Sequence, residues 1–124
     1  MNLYREILMD HYRHPRNRGQ LEKPDFSSGQ FNPSCGDQVS FEGMVNNDII
    51  TQVKFTGKGC VISQASASLL SELIEGKSIE DALALNKEDM QKLIGMQLGP
   101  MRLKCALLPL EALQQGLQNY KKSL

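Results

Sequence analysis

At 124 residues, with 40% apolar and 23% charged side chains, the chain has the composition of one ordinary globular domain over 1–124, which excludes a fibre, a repeat array or a disordered tail. Fourteen Lys and Arg balance fourteen Asp and Glu and the pI is near 6.7, so no field suits a phosphate backbone or an anionic membrane, and nucleic acid is not an expected partner. No run approaches the ~20 apolar residues of a membrane helix, and the N-terminus lacks the apolar core of a secretory signal, which predicts a cytoplasmic protein without a membrane partner.

Residues 2–13 place Leu3, Ile7 and Leu8 near one face of a short amphipathic helix. From His14 to Pro33 prolines and glycines break the pattern, predicting a loop with one short edge strand near Gly29–Asn32. Val39, Phe41, Gly43 and Val45 then alternate with polar neighbours. After Asn46-Asn47-Asp48, Ile49, Thr51, Val53 and Phe55 alternate again, which predicts an antiparallel hairpin. The pattern stops at Gly57-Lys58-Gly59-Cys60, and a helix of small residues follows from Val61 to Glu75, closed by Gly76. Ser78 with Asp81, and Asn86 with Asp89, offer N-caps for two short helices at 79–85 and 87–94.

The last stretch, Ala106 to Lys122, carries Leu107, Leu110, Leu113 and Leu117 at helical spacing. A proline deep in a helix removes a hydrogen bond and clashes with the carbonyl four residues back, at about 3 kcal/mol, whereas the first turn tolerates it. Pro109 therefore predicts a helix start near Cys105–Ala106. The fold class is α+β: a small antiparallel sheet of about three strands with helices packed on one face.

Three cysteines are an odd set for a disulfide framework, and in such a chain they read as thiolates for metal or sulfur chemistry. Cys35 lies in the turn-forming string Asn32-Pro33-Ser34-Cys35-Gly36-Asp37, and Cys60 follows two glycines where backbone can approach an ion closely. Helix N-termini and nearby cations favour the thiolate, and Cys60 with Lys58, and Cys105 with Lys104, are predicted to have that setting. Asp37 is a candidate fourth ligand. Three thiolates and a carboxylate fill the shell of a Zn²⁺ ion or the four terminal positions of a [2Fe–2S] pair. The other reading of Asp37 is a loop residue bonded to its own backbone.

These strings resemble the iron–sulfur cluster assembly proteins of the IscU, SufU and NifU N-terminal type. The likeness runs through Asp10-His11-Tyr12, Pro15-Arg16-Asn17, Asn32 to Asp37, Gly57 to Cys60 with the following Ser/Ala run, and Arg102-Leu103-Lys104-Cys105. The resemblance implies a ligand set of Cys35, Asp37, Cys60 and Cys105, and a cysteine desulfurase that delivers persulfide sulfur. It implies a scaffold that binds iron, assembles [2Fe–2S] and passes it to apo iron–sulfur recipient or carrier proteins, as a monomer or dimer. IscU-like proteins carry His before the last cysteine. Lys104 stands there instead, as in SufU, and a protonated lysine cannot ligate; its expected role is to lower the Cys105 pKa. The short stretch from Cys60 to Cys105 is IscU-like, and Leu98-Gly99-Pro100-Met101-Arg102 replaces the chaperone-read Leu-Pro-Pro-Val-Lys string of IscU.

Two functions follow. One is the scaffold, with Cys105 as persulfide acceptor; the other is a SufU-like sulfurtransferase in which Zn²⁺ occupies the same residues and one thiolate accepts sulfur. A zinc-stabilised binding module is the plainer alternative. His11 and His14 are expected at the surface or in caps. Ser63, Ala65, Ser66, Ala67 and Ser68 form a thin packing face, and Met90, Met96 and Met101 fill the core or an interface.

Overall fold

Three antiparallel strands, β1 (Phe26–Asn32), β2 (Asp37–Asn46) and β3 (Ile49–Lys58), lie side by side in chain order. Among the described residues five helices accompany the sheet: α1 (Leu3–Arg13), α2 (Val61–Ile74), α3 (Ile79–Leu83), α4 (Lys87–Ile94) and α5 (Pro100–Lys122). The structure is a computed structural model and describes residues 3–124; Asn2, the predicted start of the first helix, lies outside the described residues.

Alternation builds the core. Val39 and Phe41 of β2 and Val53 and Phe55 of β3 turn inward, and the paired Phe41 and Phe55 rings stand 5.9 Å apart. They meet Leu70 and Ile74 of α2 and Leu108, Leu113 and Leu117 of α5 in one cluster. Each fully buried side chain of this size stabilises by roughly 1.5–3 kcal/mol. A bulge corrects the predicted phase of β3. Met44 pairs with Gln52 while Val45 pairs with Ile50, so Thr51 is the extra residue and Ile50, not Ile49, points inward.

The edge strand is longer than predicted, because Phe26 anchors it. Its ring fills space left by two glycines: a Cβ at Gly43 or at Gly116 would run into it. The loop after α1 covers the other edge, where Phe55 N–H donates to the Asn17 carbonyl and Gly19 N–H to the Phe55 carbonyl, both at 2.9 Å.

Local signals set most helix ends. Asn86 and Asp89 form a complete capping box, Ser78 caps α3, and Gly76 follows α2 at φ +89°. The predicted start of the last helix is overturned. α5 begins at Pro100, in the first-turn position that prolines fit, and carries Pro109 in its interior. Packing of the leucines that flank Pro109 outweighs the one hydrogen bond it removes, which is the Cys105 carbonyl's helical partner. Met101, in the first turn of α5, is 68% exposed and fills no core.

The first helix also differs from expectation. Leu3 and Ile7 are exposed, and the buried line of α1 is Leu8 and His11. His11 is not a surface residue. Its Nδ1 lies 2.7 Å from Ser68 Oγ on the small-residue face of α2, and its Nε2 faces Glu72 at 3.6 Å. Ser68 Oγ also accepts the Arg16 N–H at 2.9 Å. Small side chains on α2 let α1 approach closely enough for a histidine to find a buried partner.

Candidate metal centre

The β1–β2 connection, the β3–α2 connection and the start of α5 converge at one end of the sheet, and each brings a cysteine. In the first, Asn32 Oδ1 accepts the Ser34 N–H at 3.0 Å and the Asn32 carbonyl accepts the Gly36 N–H at 2.8 Å, which leaves Cys35 exposed at the turn. Asp37, the first residue of β2, is 1% exposed. It is not bonded to its own backbone. Oδ1 accepts the Cys60 N–H at 2.8 Å, and Cys60 Sγ stands 3.1 Å from Oδ2. Gly59 makes this possible: at φ +139° a Cβ there would strike Asp37 Oδ1.

Cys60 is the N-cap of α2, its Sγ accepting the Ser63 N–H at 3.4 Å. Cys105 occupies the second turn of α5 rather than a helix N-terminus, which corrects the predicted setting. Cys35 Sγ and Cys105 Sγ are 3.9 Å apart. Donor atoms of Cys35, Asp37 and Cys105 all lie within 4.8 Å of one another, and Cys60 is joined to the group through Asp37.

Charges respond to this crowding. Burial alone raises the Asp37 pKa, but the Cys60 N–H and the three thiols around the carboxylate outweigh it and hold Asp37 below the usual carboxylate range. Cys105 goes the other way: burial first, then the Asp37 carboxylate and the thiols of Cys60 and Cys35, push its thiol far up. This reverses the expectation that Lys104 and a helix terminus favour its thiolate. Lys104 is exposed and, with Arg102, lines a cavity of about 210 Å³ whose walls include Cys35, Cys60 and Cys105.

The donor set fits a thiophilic ion. Two sulfurs on one tetrahedral zinc stand about 3.8 Å apart for Zn–S bonds of about 2.3 Å, and the Cys35–Cys105 pair already has that spacing. His11 and His14 stay outside: His11 is engaged with Ser68, and His14 is exposed at the end of α1. Gly59 is one of the two glycines expected to let backbone approach closely beside Cys60, whereas Ser63 and Gln64, which adjoin Cys60 and Asp37, are not marked as site residues by the sequence reading. The one signal in the sequence was that Ser63 stands three residues after an N-cap.

Fold and site together define a small α+β domain that brings Cys35, Asp37 and Cys105 into a group able to hold a metal ion, with Cys60 joined to it through Asp37. Residues 3–124 match the NifU-like N terminal domain family. The chain belongs to that family, which is that of the IscU and SufU iron–sulfur cluster assembly scaffolds. It is 38% identical over 131 residues to the zinc-dependent sulfurtransferase SufU of Bacillus subtilis (strain 168), across 92% of this chain and 88% of that protein. It is 37% identical over 123 residues to the iron–sulfur cluster assembly scaffold protein IscU of Rickettsia prowazekii (strain Madrid E), across 96% of this chain and 92% of that one. The crystal structure of FiSufU from Fervidobacterium islandicum AW-1 superposes with a TM-score of 0.80 at 32% identity, covering 90% of this chain and 94% of that chain. Among the described residues no helix is long and apolar enough to cross a membrane.

Proposed function

We propose that this protein is a cytoplasmic scaffold that accepts persulfide sulfur from a cysteine desulfurase, binds iron, assembles [2Fe–2S] on Cys35, Asp37, Cys60 and Cys105, and hands it to apo recipient or carrier proteins. The observation that carries this reading is the mutual reach of the Cys35, Asp37 and Cys105 donor atoms, within 4.8 Å, with Cys60 bound to Asp37. Iron and sulfide are here the cargo. Three thiolates suit thiophilic iron, and one oxygen donor holds it less firmly than a fourth sulfur, which favours release.

Cys105 is the proposed persulfide acceptor. Coordination takes the proton that burial holds on its thiol, and Lys104 on the same cavity wall offers a cation to the thiolate. The Cys105 thiolate attacks the outer sulfur of the desulfurase persulfide, an S–S bond forms on Cys105, and the desulfurase thiolate leaves. Each sulfur so delivered needs two electrons from an external reductant to become sulfide. Loss of persulfide labelling in Cys105→Ser is the expected result, and normal labelling refutes this assignment.

A zinc-dependent sulfurtransferase is the second reading, favoured by the 38% identity to the Bacillus SufU and by Arg102 and Lys104 beside the thiols. The same four residues would hold the zinc. Metal and labile-sulfide analysis of anaerobically purified protein with a cysteine desulfurase separates the two. Iron with equimolar sulfide and thiolate charge-transfer absorption supports the scaffold. One zinc per chain that resists iron and sulfide, with activation of the desulfurase, supports the sulfurtransferase.

A further inference from the structure

Gln64 is buried at 5% exposure, and among the described residues its Oε1 has no hydrogen-bond partner. Turning the amide over does not help. The Gln38 carbonyl only accepts, so Nε2 must face it, as it does at 3.3 Å. A buried acceptor without a donor lowers stability, and an apolar side chain of the same length in this place avoids that cost. Packing therefore gives no reason for a glutamine here.

Its other end does. Nε2 also donates to Ser63 Oγ at 3.0 Å, and Ser63 Oγ donates to the Cys60 carbonyl at 3.2 Å. The Ser63 N–H reaches Cys60 Sγ at 3.4 Å, and the Cys60 N–H reaches Asp37 Oδ1 at 2.8 Å. Since Gln38 directly follows Asp37, these bonds close a ring: Asp37, Gln38, Gln64, Ser63, Cys60 and back to Asp37. We infer that Gln64 is a positioning residue that closes this ring and so fixes the Cys60 sulfur against Asp37 in the metal-ligating group. One amide ties the first residues of β2 to the first turn of α2, the two elements that carry Asp37 and Cys60. Gly57 admits it, because a Cβ there would press on the Gln38 carbonyl and on the Gln64 amide. The inference rests on the proposed reading of Cys60 as a ligand.

The test uses Co(II) as probe in the full chain, with Gln64→Met, Ser63→Ala, the double variant and Cys60→Ser. The expected result for Gln64→Met is Co(II) affinity weaker by about ten- to a hundredfold, with thiolate charge-transfer absorption reduced toward that of Cys60→Ser. The metal-free variant melts at an unchanged or higher temperature. Ser63→Ala shows the same loss, and the double variant shows no more than either single one, because all three break one ring. Native Co(II) affinity and absorption in Gln64→Met, alongside a clear loss in Cys60→Ser, overturn the positioning role alone. Weaker binding that merely follows a lower melting temperature also overturns it. A Cys60→Ser spectrum identical to the parent's removes the ligand reading and the inference with it.

Discussion

The Asp37 carboxylate grips Cys60 twice, through the backbone N–H at 2.8 Å and toward the sulfur at 3.1 Å. One side chain at the head of β2 thus sets the entry of α2 and, on the proposed reading, supplies an oxygen donor beside three sulfurs. Replacing it by a fourth thiol separates those roles. Asp37→Cys should retain a reconstituted [2Fe–2S] cluster longer, since a soft ligand replaces a hard one. The half-time of cluster transfer to an apo ferredoxin, followed by circular dichroism, should lengthen several-fold, and an unchanged half-time refutes the release role of the oxygen.

Gly59 holds the seat of that carboxylate. At φ +139° an alanine is strained, and its Cβ collides with Asp37 Oδ1. Gly59→Ala should cost about 1–3 kcal/mol in urea unfolding and weaken zinc binding in a chelator competition. Loss of stability with intact zinc affinity would separate the glycine from the site.

Proton release on metal binding follows from the two shifted groups. Cys105 has its pKa raised, so across the neutral range it must lose a proton to bind, while Asp37, with its pKa lowered, has none to give. Zinc affinity should therefore climb as pH rises through neutrality. Calorimetry in buffers of different ionisation enthalpy should find one proton fewer released by Cys105→Ser than by the parent, whereas Asp37→Asn should leave the count unchanged.

A second pH effect lies at the α1–α2 contact. Burial, and then the Arg16 cation, lower the His11 pKa against the opposing pull of Glu72 and Asp10. With its pKa lowered in the folded state, neutral His11 contributes stability that is complete above about pH 6.5, its unfolded value. That contribution is lost as the pH falls through the folded pKa, because the unfolded chain binds the proton more readily. His11→Gln should flatten the decline in urea midpoint between pH 7.5 and 5, and an equally steep decline would place the acid sensitivity elsewhere.

Where the signal was local, the sequence sufficed. The Asn86–Asp89 cap, Gly76 after α2, and the hairpin about Asn46–Asp48 all lie where their residues say, because each depends on neighbours only a few positions away. The candidate site was legible for a related reason: turn residues and glycines around Cys35 and Cys60 announce backbone that must bend close to something. Tertiary packing decided the rest. The extra Thr51 in β3 is invisible until Val45 chooses Ile50 as partner, and His11 reads as a polar surface residue until Ser68 appears across the helix pair. Gln64 carries no signal of its own in the sequence, and only the fold brings it against Gln38.

Pro109 gave the wrong boundary for α5, yet its position carries meaning. The residue four places before it is Cys105, so the carbonyl of the third cysteine lacks the amide that would stitch it to the next turn. Asp37 and Cys60 are bonded to each other at the head of β2 and the start of α2, whereas Cys105 stands on α5 at the one turn where Pro109 leaves its carbonyl without a helical partner. On the proposed four-ligand reading, a small shift of Cys105 therefore gives up one backbone hydrogen bond fewer than it would in an uninterrupted helix.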